Sequence, residues 1–188
     1  MTAGLRTLLA MLVSAVAISV HGQAIDVAVH TQGDRVIVEV SAHAPVKRDV
    51  AWSVLTDYDH MAEFVSNLKT SVVLSRKGNQ LEVEQTGEAR RGFLHFSFST
   101  VRTVELIDDR EIRSTLVRGT FKSYEFVTRI SDDPTGSLLI VHHGEYVPTT
   151  WVPPVVGPAL IETETRRQYT ELLAEMTRRE ARKAVPSR

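Results

Sequence analysis

Apolar and polar positions alternate along most of this chain, which is the period of a half-buried β-strand. The alternation begins at Val36, Val38 and Val40, after the turn-forming run Gln32-Gly33-Asp34, and predicts a first hairpin or one long first strand. Six further strands are predicted at Thr70–Arg76, Gln80–Gly87, Phe93–Leu106, Glu111–Arg118, Ser123–Ser131 and Ser137–Val147. Glycine, asparagine and aspartate separate these segments, as in tight turns between antiparallel strands.

Two segments follow helical spacing instead. After Pro45, apolar residues at mixed three- and four-residue intervals predict a first helix: Val46, Val50, Trp52, Val54 and Leu55. Asp59 is expected to cap a second short helix, HMAEFV, by accepting hydrogen bonds from the backbone N–H groups of its first turn. From about Gly157 onward, the apolar stripe of a long helix is formed by Leu160, Ile161, Tyr169, Leu172, Leu173 and Met176.

The order of these elements predicts an α+β fold. A first hairpin or strand is followed by two short helices, about six antiparallel strands and a long C-terminal helix. A sheet with one apolar face needs a cover, and the amphipathic C-terminal helix can supply it. Because no repeat, low-complexity tract or linker interrupts the pattern, we expect one domain over residues 25–188.

Residues 1–24 have the three parts of a secretory signal peptide. Arg6 supplies the positive region, Leu8–Val20 is an uncharged apolar run, and Gly22-Gln23-Ala24 offers small residues at a cleavage site. The alternatives are a buried N-terminal helix or an uncleaved membrane anchor, although the run is short for a span of about 20 residues. We therefore expect export, with a periplasmic or extracellular protein after cleavage near Ala24.

The composition of the chain excludes several kinds of partner and site. The formal net charge is −1, and loss of Arg6 on cleavage would make it −2, so no basic surplus favours nucleic acid as a partner. The chain has no cysteine, which excludes disulfides, thiol catalysis and iron–sulfur ligation. His142 and His143 are neighbours on a predicted strand and must face opposite sides, so they cannot bind one metal ion. We expect no cofactor and no metal.

Several short runs resemble the START-like superfamily, also called the SRPBCC or polyketide cyclase/dehydrase group, and its coenzyme Q-binding branch. They are Ala44-Pro45-Val46, VAWSVLTDY from Val50 to Tyr58, FVSNL from Phe64 to Leu68, VEQTG from Val83 to Gly87, and RGTF from Arg118 to Phe121. The similarity extends from about Ile37 to Ala174. It implies a helix-grip fold, in which a curved antiparallel sheet wraps around the long C-terminal helix and leaves a cavity. It also implies binding of lipids, quinones or polyketide-like molecules, by carriers, cyclases or regulatory binders.

The strand faces suggest which polar residues reach such a cavity. Gln85 shares a face with Leu81 and Val83, and Arg102 shares one with Phe98. Arg118 would share a face with Ile112 and Leu116. An apolar surface with a few polar groups is typical of a ligand site, whereas a solid core gains nothing from an unpaired arginine. Two alternatives remain open: a bulge that reverses the phase, or arginines at the rim.

The aromatic residues allow two interpretations, since each can belong to the core or to the ligand pocket. Trp151 lies beside two prolines among valines, and we expect it either to form a mobile lip over the pocket or to plug the end of the core. The candidate pocket residues are Trp52, Tyr58, Phe64, Gln85, Phe96, Phe98, Arg102, Arg118, Phe121, Tyr124, His142 and Trp151.

These observations favour an exported, monomeric protein that holds an apolar small molecule without catalysis and transiently contacts a membrane surface. The main alternative is a cyclase or dehydratase that acts on a polyketide-like substrate, with His142 or Tyr124 as the general acid or base. A third interpretation is a partner-binding protein with only a vestigial cavity. No residue is assigned a catalytic role in the preferred interpretation.

Overall fold

The computed structural model describes residues 25–91, 94–134, 136–150 and 156–184. The predicted signal peptide, residues 1–24, and Trp151 lie outside these ranges. The described strands are β1 Ile25–Gln32, β2 Arg35–Ala44, β3 Leu68–Lys77, β4 Gln80–Arg91, β5 Leu94–Ile107, β6 Glu111–Gly119, β7 Phe121–Asp132 and β8 Leu138–Pro148. The described helices are α1 Arg48–Leu55, a 3-10 turn Tyr58–His60, α2 Met61–Phe64 and α3 Val156–Ala184.

The eight strands form one antiparallel sheet in the order β1-β2-β8-β7-β6-β5-β4-β3. Strands β3 to β8 are consecutive hairpin neighbours, while β2 pairs with β8. The segment with α1 and α2 therefore connects β2 to β3 at the far edge of the sheet. The predicted α+β fold, an antiparallel sheet with a long C-terminal helix, is confirmed.

The sheet curves around α3. This helix contacts β1 at one edge and β4 near the other. Six strand spacings separate β1 from β4, about 29 Å in a flat sheet, whereas a helix is only about 10–12 Å wide. One helix can reach both strands only if the sheet wraps around it, which is the helix-grip arrangement. Its buried face includes Leu160, Leu173 and Met176, as the apolar stripe predicted.

Hydrogen bonds and ion pairs join α3 to the α1–α2 segment. Arg179 donates to Asp57 over 2.7 Å and to Glu175 over 2.6 Å, and its ion pairs link the helix to the end of α1. Burial opposes ionisation of both carboxyl groups. Hydrogen bonds from His60 and Arg179 nevertheless hold the pKa of Asp57 below its usual range, and hydrogen bonds from Arg178 and Arg179 do the same for the pKa of Glu175. We call Asp57, Glu175, Arg178 and Arg179 the seam cluster.

One capping prediction is wrong. Asp59 lies in the 3-10 turn and makes no capping bond to a short helix. Its carboxylate instead accepts a 2.8 Å hydrogen bond from the backbone N–H of Val73 on β3. Because β3 is an edge strand with backbone groups free to pair, the nearest carboxylate satisfies one of them.

Candidate ligand-binding cavity

A cavity of about 290 Å³ lies between the concave face of the sheet and α3. Its wall is mostly apolar and aromatic. The sheet contributes Val38, Gln85, Ala89, Phe98, Thr100, Arg102, Ile112, Ser114, Phe121, Tyr124, Phe126, Thr128, His142 and Tyr146. The α1–α2 segment and the start of β3 contribute Leu55, Tyr58, Met61, Val65, Asn67 and Leu68, and α3 contributes Ile161, Glu164, Thr165, Gln168, Tyr169 and Leu172.

The most polar part of the wall is centred on Arg102. Its Nη1 donates to the hydroxyl of Tyr124 over 3.1 Å, and its Nη2 donates to Oε1 of Gln85. Gln85 is held in turn, because its Nε2 donates to Oγ of Ser71 over 2.9 Å and contacts Sδ of Met61 at 3.4 Å. The guanidinium carbon of Arg102 also lies 5.3 Å from the ring centre of Tyr124. This chain of contacts fixes the position of the arginine side chain in the wall.

His142 is the histidine that faces the cavity, while His143 points outward, 3.4 Å from Glu39. The Nδ1 atom of His142 is 2.8 Å from the hydroxyl of Thr128, and its ring stacks on Phe126 at 4.7 Å. Burial, followed by the positive charge of Arg102, lowers the pKa of His142 to about 3. The imidazole is therefore neutral near pH 7.

All four tyrosines of the chain line the cavity: Tyr58, Tyr124, Tyr146 and Tyr169. Burial raises the pKa of Tyr58 to about 12 and raises the pKa values of Tyr146 and Tyr169 further. These three groups remain neutral phenols over the physiological range. They give the wall both aromatic surface and hydroxyl groups.

Two glycines make room for the phenylalanine rings of the wall. Gly87 pairs with Phe98 across β4 and β5, and Gly144 pairs with Phe126 across β7 and β8. A Cβ atom at either glycine would overlap the facing phenylalanine ring and a neighbouring backbone oxygen. The absence of a side chain at these positions lets the rings lie across the sheet.

Some residues of the wall were not among the candidates predicted from the sequence, above all Glu164 on α3. Glu164 is 7% exposed and its carboxylate is paired with Arg167. Gln168 lies one turn further along α3 and donates to the side chain of Asn67 over 2.9 Å. The spacing of Ile161, Glu164, Thr165, Gln168, Tyr169 and Leu172 is that of one helical face, a signal that was available in the sequence.

Seven candidates for the pocket meet in the cavity wall: Tyr58, Gln85, Phe98, Arg102, Phe121, Tyr124 and His142. Trp52 and Phe64 are half-buried and pack against the core instead, and Arg179 lies over the ring of Phe64 at 5.5 Å. Phe96 is half-buried but lies outside the wall.

Arg118 differs from its expected placement, because a bulge changes the phase of β6. Arg102 pairs with Leu116 while Val101 pairs with Arg118, so Val117 is the extra residue. Arg118 therefore faces outward, where it lies 3.6 Å from Glu82. The bulge was one of the alternatives that the strand pattern left open.

The surroundings of His142 bear on general acid–base chemistry. The neutral ring is paired with the Thr128 hydroxyl, and no carboxylate of the described residues is hydrogen-bonded to it. Within the part of the chain that the structure describes, no three acidic or histidine side chains are close enough together to hold a metal ion. Among those residues there is also no helix with the length and apolar composition needed to cross a bilayer.

Comparison with known structures shows the same fold in proteins of distant sequence. A START superfamily protein from Mycobacterium smegmatis is 14% identical, with a TM-score of 0.64 over 76% of this chain and 97% of that chain. The Zhui aromatase/cyclase from Streptomyces sp. R1128 is also 14% identical, with a TM-score of 0.64 over 77% of this chain and 95% of that one. A STAR-related lipid transfer protein from Xanthomonas axonopodis is 11% identical, with a TM-score of 0.65 over 83% of this chain and 98% of that fragment.

Sequence comparison with curated proteins gives no significant match. The family model described as polyketide cyclase / dehydrase and lipid transport matches residues 44–170, about two thirds of the chain. The resemblance to the START-like superfamily and the helix-grip fold are thereby confirmed. The chain belongs to the polyketide cyclase / dehydrase and lipid transport family, and it is a START-like domain for hydrophobic ligands.

Proposed function

We propose that the protein is exported and holds an apolar small molecule, such as a lipid, a quinone or a polyketide-like compound, without converting it. The observation that supports this best is the cavity itself, whose mostly apolar and aromatic wall carries a fixed polar cluster at Arg102. Such a wall stabilises a ligand mainly by desolvation. Burial of about 400 Å² of ligand surface contributes about 10 kcal/mol before ordering costs.

We propose that the ligand is not converted because the pKa of His142, the histidine of the wall, does not suit a general base. A general base works best with a pKa near the working pH, whereas the pKa of His142 lies near 3. We further propose that the protein acts as a monomer in the periplasm or outside the cell, after removal of residues 1–24. It would contact a membrane surface transiently when it takes up or releases ligand.

A cyclase or dehydratase remains the second candidate, because Tyr124, His142 and Glu164 all lie in the same cavity. One of the neighbours in fold is an aromatase/cyclase, which makes this reaction class the natural competitor. An enzyme would have to raise the pKa of His142 towards neutrality when substrate binds, or use Tyr124 as a general acid.

Native mass spectrometry of the protein, purified from the cell that produces it, tests the proposal. We expect a one-to-one complex with a small molecule, whose mass is unchanged after solvent extraction and reincubation with fresh protein. Conversion of the extracted molecule into a product of different mass would favour the cyclase instead.

Export has a separate test. N-terminal sequencing of the same material should begin near Ile25. Protein in a soluble cytoplasmic fraction that still carries Met1 would contradict the proposed location.

A further inference from the structure

The hydrogen-bonding capacity of Arg102 is only partly used. A guanidinium group has five N–H donors. The described contacts use Nη1 for Tyr124 and Nη2 for Gln85, whereas Nε is buried and has no partner among the described residues. Arg102 is 8% exposed and lines the cavity. A buried donor without an acceptor is costly. Nη1 and Nη2 each carry a second N–H group, and neither of these has a partner among the described residues.

The positive charge of Arg102 is also unmatched. Within the described ranges, no carboxylate forms an ion pair with it. The other charged side chain of the wall, Glu164, is paired with Arg167 on its own helix. The groups beside Arg102 cannot supply a negative charge, since Gln85 carries an uncharged amide and burial keeps Tyr58 a neutral phenol.

A charge buried without a counter-ion costs several kcal/mol, which is why buried ions in proteins are paired. Arginine cannot escape this cost by losing its proton. The missing negative charge must therefore come from something that occupies the cavity. A neutral quinone, sterol or alcohol could accept a hydrogen bond, but it would leave the charge unmatched.

We propose that the ligand is an amphipathic organic anion, whose carboxylate pairs with Arg102 while its apolar body lies against the aromatic wall. This inference rests on the proposed binding function and narrows its ligand class. The planar guanidinium suits a two-oxygen acid group, because two parallel N–H donors can meet both oxygens. Gln85 accepts a hydrogen bond from the guanidinium and is itself held by Ser71, so the fork is oriented before the ligand binds.

The test compares two competitors that share one apolar body and differ in their polar group, which is an anion in one and neutral in the other. The fluorescent neutral dye N-phenyl-1-naphthylamine reports occupancy of the cavity, and anthracene-2-carboxylate or anthracene-2-methanol displaces it at pH 7. For the wild-type protein we expect the acid to bind roughly 10- to 100-fold more tightly than the alcohol, as for a buried charge-assisted hydrogen bond. In Arg102→Gln this preference should vanish, because the acid loses much more affinity than the alcohol.

Two further variants make the result specific. Arg118→Gln removes an arginine from the outer face and should leave the acid preference unchanged. Arg102→Lys keeps the charge but loses the planar fork, so the preference should fall several-fold and persist. If Arg102→Gln fails to fold, the acid preference of Arg102→Lys still tests the anion proposal.

The outcomes separate the two proposals. If the wild-type protein does not bind the neutral dye, the binding function itself is wrong. If it binds the dye but the acid and the alcohol compete equally, the function stands and the anion proposal is overturned. An acid preference that is unchanged in Arg102→Gln or Arg102→Lys also overturns it, because the charge would then be matched elsewhere.

Discussion

Two buried or partly buried arginines of this protein have opposite surroundings. Arg179 in the seam cluster forms ion pairs with both Asp57 and Glu175 and donates to a backbone oxygen of α1. Arg102 in the cavity wall has only neutral partners among the described residues, and its Nε has none. The seam is electrostatically complete in the free protein, whereas the cavity is not. We therefore assign the seam to stability and the cavity to binding.

The largest expected effect comes from breaking the seam. Arg179→Met leaves Asp57 without its arginine and weakens the pairing of Glu175, whose side chain is 3% exposed. The free energy of unfolding should fall by about 2–4 kcal/mol, somewhat below the cost for a fully buried pair. Chemical denaturation measures this, with Arg182→Met, an exposed arginine on the same helix, as the control. An equal loss of unfolding free energy in both variants would show that the seam cluster does not stabilise the contact between α3 and the α1–α2 segment.

Lowering the pH should reduce the stability of the folded protein through His142. Its pKa is about 6.5 in the unfolded chain and about 3 in the folded protein, so the unfolded chain binds the proton first as pH falls. Stability from this group is complete above pH 6.5 and decreases below it, by at most about 1.4 kcal/mol per pH unit. His60 acts in the opposite direction, because its hydrogen bond to Asp57 raises its pKa.

The variant His142→Asn isolates this contribution. Its stability should depend less steeply on pH between 6.5 and 5, a range above the usual pKa values of the seam carboxylates. Denaturation curves at several pH values give the two slopes. If the slopes are identical, the His142 ring is not desolvated in the folded protein.

The cavity arginine should respond to substitution with the opposite sign from the seam arginine. Arg102→Met removes a buried charge without a counter-ion, so the ligand-free protein should gain about 1 kcal/mol of stability or remain unchanged. Thermal melting of protein freed of ligand by denaturation and refolding measures this smallest effect. A loss as large as that of Arg179→Met would mean that the Arg102 charge is already compensated.

Much of the fold was predictable because local patterns carry it. The strand periods place β3 to β8 within about four residues, whereas the pattern of the first region allowed either a hairpin or one long strand. The turn at Asp108 and Asp109 has the positive φ values that a tight hairpin requires. The resemblance in the Val50–Tyr58 run supplied the topology. Long-range pairing between β2 and β8 has no local signature in the sequence.

The cavity was less predictable, because its wall depends on register and on contacts between distant elements. Strand alternation correctly oriented Gln85 and Arg102, but one extra residue at Val117 turned Arg118 outward. Asp59 was expected at a helix end, whereas it binds an edge strand that folding brings beside it. Glu164 was visible only as a position on a helical face, and its pairing with Arg167 could not distinguish the cavity side from the solvent side.

We propose that the ligand binds inside the cavity, and neighbouring residues on β6 offer a direct test. Ser114 is buried in the cavity wall, whereas Thr115 faces the solvent on the opposite side of the sheet. Titration of N-phenyl-1-naphthylamine should show binding to the wild-type protein and to Thr115→Phe, and a loss of at least about tenfold in affinity for folded Ser114→Phe. Equal affinity of all three proteins for the dye would contradict the account, because the ligand would then bind outside the cavity.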